Sequence, residues 1–148
     1  MEILEKYAYE LIGIPYQWGG DDPMAGFDCS GLTIELLQSV GIFPHKEDAT
    51  SQGLYDRYSV GLRGRLLDTH ETPEFGDLGF YGSNDQAIIH IVFFMDHYRV
   101  LEAGSGGRRI KTVEDAIKYN AFTRIRPYKH RGDLVAIVRP RYDEVLRN

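Results

Sequence analysis

The sequence predicts an α+β fold built on an antiparallel sheet. Three observations carry that prediction. Apolar residues recur at helical spacing near the N-terminus. Short apolar and β-branched runs, separated by turn residues, fill residues 77–103. Helices come first and strands follow, instead of alternating with them. The 148 residues suit one ordinary domain, and a chain of that size buries roughly 68–70% of its unfolded surface.

Ile3, Leu4, Tyr7, Ala8, Leu11 and Ile12 predict the first helix, stopped by Gly13 and Pro15. A second helix is expected from near Asp28, with Leu32, Leu36, Leu37 and Val40 along one stripe and Gly41 and Pro44 ending it. Asp28 is its N-cap, because a carboxylate there accepts the free N–H groups of the first turn. Cys29 then takes the first helical position. Residues 45–73 are irregular, apart from a short helix around 50–58. Residues 77–81, 88–95 and 99–103 read as strands. The run 88–95 is apolar on both faces except at His90, the pattern of a strand central in its sheet. Thr112 is placed to cap a short helix through Tyr119, and residues 134–138 read as the last strand. With no linker, repeat or low-complexity segment, a single domain over residues 1–148 is expected, with a polar tail at 141–148 that frays.

Composition excludes several function classes. Hydrophobic residues make up 43% and charged residues 26%, which rules out a disordered chain. The 17 Lys and Arg against 22 Asp and Glu give a net charge of −5, and an acidic chain is a poor binder of phosphate backbones, so no nucleic-acid partner is expected. No apolar run approaches the ~20 residues a membrane span needs, so no membrane partner is expected. The N-terminus mixes acids with apolar residues and lacks the basic start of a secretory signal. Cys29 is the single cysteine, which excludes an internal disulfide and a four-cysteine zinc site.

Cys29 is the first candidate for chemistry. A helix N-terminus stabilises a thiolate, the reactive form of cysteine. A lone cysteine also reads as a small buried hydrophobe, but polar Asp28 and Ser30, Gly31 and a preceding glycine-rich loop are poor company for one. His90 is the second. An imidazole in an apolar strand needs partners; it is either a satisfied core histidine or the general base for Cys29. Such a base needs a third group to hold its ring. Glu102, between Leu101 and Ala103, offers a carboxylate, and it also reads as an exposed strand-end residue. Asp96 is a rival orienter that reads as a turn residue. His45, His70, His97 and His130 read as surface residues. Trp18 reads as a core aromatic, whereas the Tyr16 hydroxyl could reach the site. The stretch 104–108 hints at a phosphate loop but lacks the lysine and hydroxyl such loops require. Cys29, His90 and Glu102 are zinc ligands by type, but no close ligand pair exists, so no metal is expected.

Pro15-Tyr16-Gln17-Trp18-Gly19-Gly20, Phe27-Asp28-Cys29-Ser30-Gly31-Leu32, Gly41-Ile42-Phe43-Pro44, Gly76-Asp77-Leu78-Gly79-Phe80-Tyr81, His90-Ile91-Val92 and Leu101-Glu102-Ala103 occur in an order that resembles the NlpC/P60 cysteine peptidases. The resemblance spans residues 4–127. It implies a papain-like α+β fold, with the nucleophile at a helix start packed on an antiparallel sheet. It also implies cleavage of peptide bonds in bacterial peptidoglycan stem peptides, often between D-glutamate and a diamino acid, with no cofactor. By position it makes Cys29 the nucleophile and His90 the base. Glu102 falls where the family has an orienting residue, most often His, Asn or Gln. Tyr16 falls where a tyrosine hydroxyl points at the sulfur, and Asp28 and Ser30 where the substrate groove is lined. Residues 45–50 lack the family's Pro-Arg-polar-Ser pattern, and residues 128–148 have no counterpart. A cell-wall enzyme with no export signal would belong to a phage particle or lysis system, act inside the cell, or leave by a dedicated route. Amidase or acyltransferase chemistry on the same thiol, and a non-catalytic role as a wall-peptide-binding module or phage tail part, are the alternatives.

Overall fold

In the computed structural model of the chain, residues 1–17, 19–22, 26–104 and 110–143 are described. Helix α1 (Glu2–Glu10) buries Leu4 and Ala8, and Leu11 continues that stripe at its C-cap. Ile3 and Ile12, expected on the same stripe, are 84% and 42% exposed. Steps of four and three residues select Leu4, Ala8 and Leu11 and turn their neighbours outward. Helix α2 (Cys29–Ser39) starts at the expected cap, Asp28, and buries Leu32, Leu36 and Leu37. Helix α3 (Ser51–Tyr58) is capped by the Thr50 hydroxyl, which accepts from the Gly53 N–H. Helix α4 (Val113–Tyr119) is capped by Thr112 and ends at Asn120 in the left-handed conformation.

Two short strands, β1 (Asp21–Asp22) and β2 (Gly26–Phe27), pair with each other ahead of α2. Among the described residues the main sheet has six antiparallel strands: β3 (Gly64–Leu66), β4 (Leu78–Gly82), β5 (Ile88–Phe94), β6 (Arg99–Ala103), β7 (Thr123–Pro127) and β8 (Leu134–Pro140). Their order is β3-β8-β4-β5-β6-β7. The expected α+β class and antiparallel sheet are borne out, and β5 lies inside the sheet as its apolar run predicts. The sequence reading omits β3 and β7, the two edges. β3 is three residues long and β7 is charged and ends in proline, so neither carries the apolar alternation of an inner strand.

The sheet is covered on both faces. Phe80, Ile91, Phe93 and Leu101 join the helices in the main core, and Tyr81, Val92, Phe94 and Val100 form a smaller cluster on the other face. That second cluster packs against Tyr128 and Ile137, from the segment the family resemblance does not reach. After β7 the chain makes a single 3₁₀ turn (Tyr128–His130) and returns as β8 between β3 and β4. The Arg139 guanidinium grips the buried Asp77 carboxylate at 2.9 Å to each oxygen. The tail is docked further than expected: Tyr142 packs on the core and its hydroxyl donates to the Gly76 carbonyl. Among the described residues, no helix is long and apolar enough to cross a membrane.

Candidate active site

The first turn of α2 is fixed from both sides. One Asp28 oxygen accepts from the Gly31 N–H at 2.7 Å and the Ser30 hydroxyl at 3.3 Å; the other accepts from the Gly19 N–H at 3.1 Å. Burial raises the Asp28 carboxyl above its ordinary value, and these bonds offset part of that rise. The Asp28 N–H donates to the Gly20 carbonyl at 2.9 Å. A Cβ on Gly31 would lie 1.9 Å from that same Gly20 oxygen. Only glycine lets the loop close over the helix start. Gly31→Ala is therefore expected to displace the Cys29 turn and reduce thiol reactivity on the order of 10-fold, because sub-ångström placement governs such chemistry. The rate of Cys29 alkylation checks this.

Cys29, partly buried, is the first residue of α2. Its Sγ lies 3.4 Å from Ser51 Oγ and beside the His90 imidazole and the Ile91 N–H, both of which stabilise the thiolate. His90 stands opposite Tyr81 in the β4–β5 register, beside an irregularity between Tyr81 and Gly82. Its Nε2 lies 2.8 Å from Glu102 Oε2. With Nε2 turned to Glu102, the second ring nitrogen, Nδ1, is the one left for the sulfur. Glu102 is 2% exposed. Its Oε1 lies 3.2 Å from Arg126 Nη1, and its Oε2 lies 3.3 Å from His130 Nε2. Sulfur, imidazole and carboxylate thus form one continuous chain of contacts.

Burial opposes charge on all three groups, and their mutual contacts outweigh it. Burial pushes the Cys29 thiol up, but the His90 bond and charge, with Ser51 and the Ile91 N–H, hold it below its ordinary value. Burial pushes the imidazole down, but Cys29 and Glu102 raise His90 to about 9. Burial pushes the Glu102 carboxyl up, but His90, His130 and Arg126 keep it below its ordinary value. Such an arrangement favours a thiolate beside an imidazolium. That pair supplies a nucleophile and a proton donor without an outside base.

Of the residues singled out from sequence, Cys29, His90 and Glu102 converge. Tyr16 is buried and bridges to Phe27, so its segment runs beside the one leading to Asp28. Ser30 bonds Asp28 within the first turn. Asp96 lies in the β5–β6 turn, bonded to the Tyr98 and Arg99 N–H groups, which removes it as an orienter of His90. Trp18 and residues 105–108 lie outside the described residues. Among the described residues, no group of three or more His, Cys, Asp or Glu could hold a metal ion.

Sequence reasoning assigns no role to Ser51 or Arg126 and places His130 at the surface. The signal for Ser51 is Thr50: a helix cap there fixes the next residue at the first position of α3. Gln52 then ties α3 to β5 by accepting the Ile88 N–H at 2.9 Å. His130, expected at the surface, has a side chain only 15% exposed and meets Glu102. The 3₁₀ turn folds it back over the sheet, which no periodic pattern announces. His45, His70 and His97 are exposed as expected.

The sequence profile of the NlpC/P60 family matches residues 13–127. The chain is 32% identical over 123 residues to the peptidoglycan endopeptidase RipA of Mycolicibacterium smegmatis, covering 75% of this chain and 22% of RipA. It is 31% identical over 108 residues to the bifunctional muramidase/DL-endopeptidase CwlT of Bacillus subtilis, covering 72% of this chain and 30% of CwlT. The chain therefore spans under a third of the length of these relatives. Among solved structures, the P60 domain of a Mycobacterium avium subspecies paratuberculosis antigen superposes with a TM-score of 0.66 at 24% identity, over 93% of this chain and 92% of that one. The peptidoglycan hydrolase RipB of Mycobacterium tuberculosis gives 0.65 at 23% identity, over 95% and 63%. The fold, the run of motifs from Pro15 to Ala103 and the extent of the sequence match agree: this chain belongs to the NlpC/P60 family.

Proposed function

We propose that the chain is a cysteine endopeptidase acting on peptidoglycan stem peptides, at the bond between D-glutamate and a diamino acid. The observation that carries this reading is the Cys29 thiol at a helix start, beside a His90 that a buried Glu102 holds. The names of the relatives, peptidoglycan endopeptidase and DL-endopeptidase, support the substrate class. In this reading the Cys29 thiolate attacks the scissile carbonyl carbon. The oxyanion forms beside the N–H of Cys29, which has no partner within the helix, and the Tyr16 hydroxyl assists. The tetrahedral species collapses as imidazolium His90 gives its proton to the leaving amine. Neutral His90 then draws a proton from water, which hydrolyses the thioester and restores the thiolate. Glu102 orients the ring throughout, and Asp28 and Ser30 line the groove at the base of α2. No cofactor takes part in these steps.

Digestion of purified muropeptides, with products identified by mass, tests the proposal. The expected products are a fragment ending in D-glutamate and one beginning with the diamino acid. Release of an intact stem peptide from its sugar, or transfer of the acyl group to an added amine in place of water, would replace this reading with an amidase or acyltransferase. No product with any wall fragment would leave the non-catalytic alternative.

A further inference from the structure

A buried carboxylate is costly unless cations and hydrogen bonds compensate it. Glu102 lies on β6, and each element around it presents a charged or titratable group. From β5 comes His90, bonded to Oε2. From β7 come two arginines. Arg124 is directly opposite Glu102 in register, yet its guanidinium turns to the Phe122 and Asn120 carbonyls. Arg126, one pleat away, reaches Oε1 instead. From the 3₁₀ turn comes His130, whose Nε2 faces Oε2. Tyr81 of β4 places its ring against both imidazoles, at centroid distances of 5.8 and 6.1 Å. Arg131 sits over that ring and pairs with Asp133.

The His130 contacts are directional. Its Nδ1 lies 2.9 Å from the Pro127 carbonyl oxygen, an acceptor only. That nitrogen must therefore donate, and the ring points a second N–H at Glu102 when it is the imidazolium. His130 also lies beyond residue 127, where the family match ends.

We infer that Arg126 and His130 are positioning residues that keep the Glu102 carboxylate ionised and aimed at His90, and through it maintain the Cys29–His90 charge pair. The inference rests on the reading of Cys29 and His90 as the reacting pair. It accounts for a carboxylate at a position where the family resemblance implies most often His, Asn or Gln. The β7 strand supplies a guanidinium and the segment after it supplies an imidazole.

The test is the pH profile of Cys29 alkylation by iodoacetamide, read alongside stem-peptide cleavage. Loss of either compensating group lets Glu102 take up a proton more readily, so the thiolate forms at higher pH. Arg126→Met and His130→Ala are each expected to move the acidic limb upward by about one pH unit, the size of an opposite-charge contact at this range. Arg126→Lys, which keeps the charge, should restore much of the shift. Arg124→Met removes an equal charge from the same strand and should leave the limb in place. Glu102→Gln combined with Arg126→Met should show no shift beyond that of Glu102→Gln alone. A uniform drop in rate with the limb unmoved, or an equal shift from Arg124→Met, overturns the inference. If Arg126→Met does not fold, the limb shift of His130→Ala decides alone. Alkylation needs no wall substrate, so the inference is judged even if cleavage is absent. A wild-type thiol with no acidic limb would instead sink the reading of Cys29 and His90.

Discussion

Cys29→Ala will cut stem-peptide cleavage to background while the protein stays folded. Removing the nucleophile of a covalent hydrolase typically costs on the order of 10⁶ in kcat, because the remaining groups lose the step they serve. The structural cost is small by comparison. The sulfur is partly buried and His90 keeps its bond to Glu102, so the stability change should stay within about 1.5 kcal/mol. Cys29→Ser is expected to be nearly as inactive, since a hydroxyl does not ionise where a thiol does. Cleavage is followed by mass, and the fold by thermal melting of each variant. Turnover by the alanine variant comparable to wild type would remove Cys29 from the chemistry.

Glu102→Gln should reduce kcat/KM on the order of 10²–10⁴-fold, the range seen when the orienter of a catalytic imidazole loses its charge. Glutamine keeps the shape and a hydrogen bond but not the carboxylate. The pH dependence gives the sign. On the proposed reading the working form pairs a thiolate with an imidazolium, so activity is expected to rise as the depressed Cys29 thiol ionises and to fall as His90 deprotonates near 9. A negative Glu102 favours the imidazolium, and the imidazolium favours the thiolate. Deleting that charge lowers His90 and raises Cys29, so both limbs move inward and the active range narrows. These limbs belong to the coupled pair as a whole. A kcat/KM profile against pH reads both at once. A lowered plateau with unmoved limbs would mean that Glu102 packs but does not tune the pair.

Much of this site was legible because its chemistry is written locally. Asp28, Cys29 and Gly31 announce a capped helix start, and His90 interrupts an otherwise apolar strand. Glu102 follows from the strand after it. The large elements were legible for the same reason: α2, α3, β5 and β6 keep their period over whole turns or pleats. The edges were not. β3 and β7 face neighbours on one side only, so selection for apolar alternation is weak there and charged residues fit. Nor were the outer contacts. Ser51, Arg126 and His130 reach the site through the return of the chain, and spacing in sequence carries no record of that return. Ile3 misled in the opposite sense, being apolar at a nearly correct phase yet exposed.

The placement of the last strand has a further consequence for how the molecule is made. β8 is the last of the described strands but second in the sheet, lodged between β3 and β4. During translation, Cys29 and His90 leave the ribosome well before the strand that seals the neighbouring ladder. Until residue 140 emerges, β4 offers an open row of amides to any other nascent strand, the situation in which chains stick edge to edge. A gene fragment trimmed at residue 127, where the family match ends, would freeze the molecule at that vulnerable stage. Expression of the family-matched region therefore calls for carrying the coding sequence through Tyr142, whose ring anchors the strand's far end.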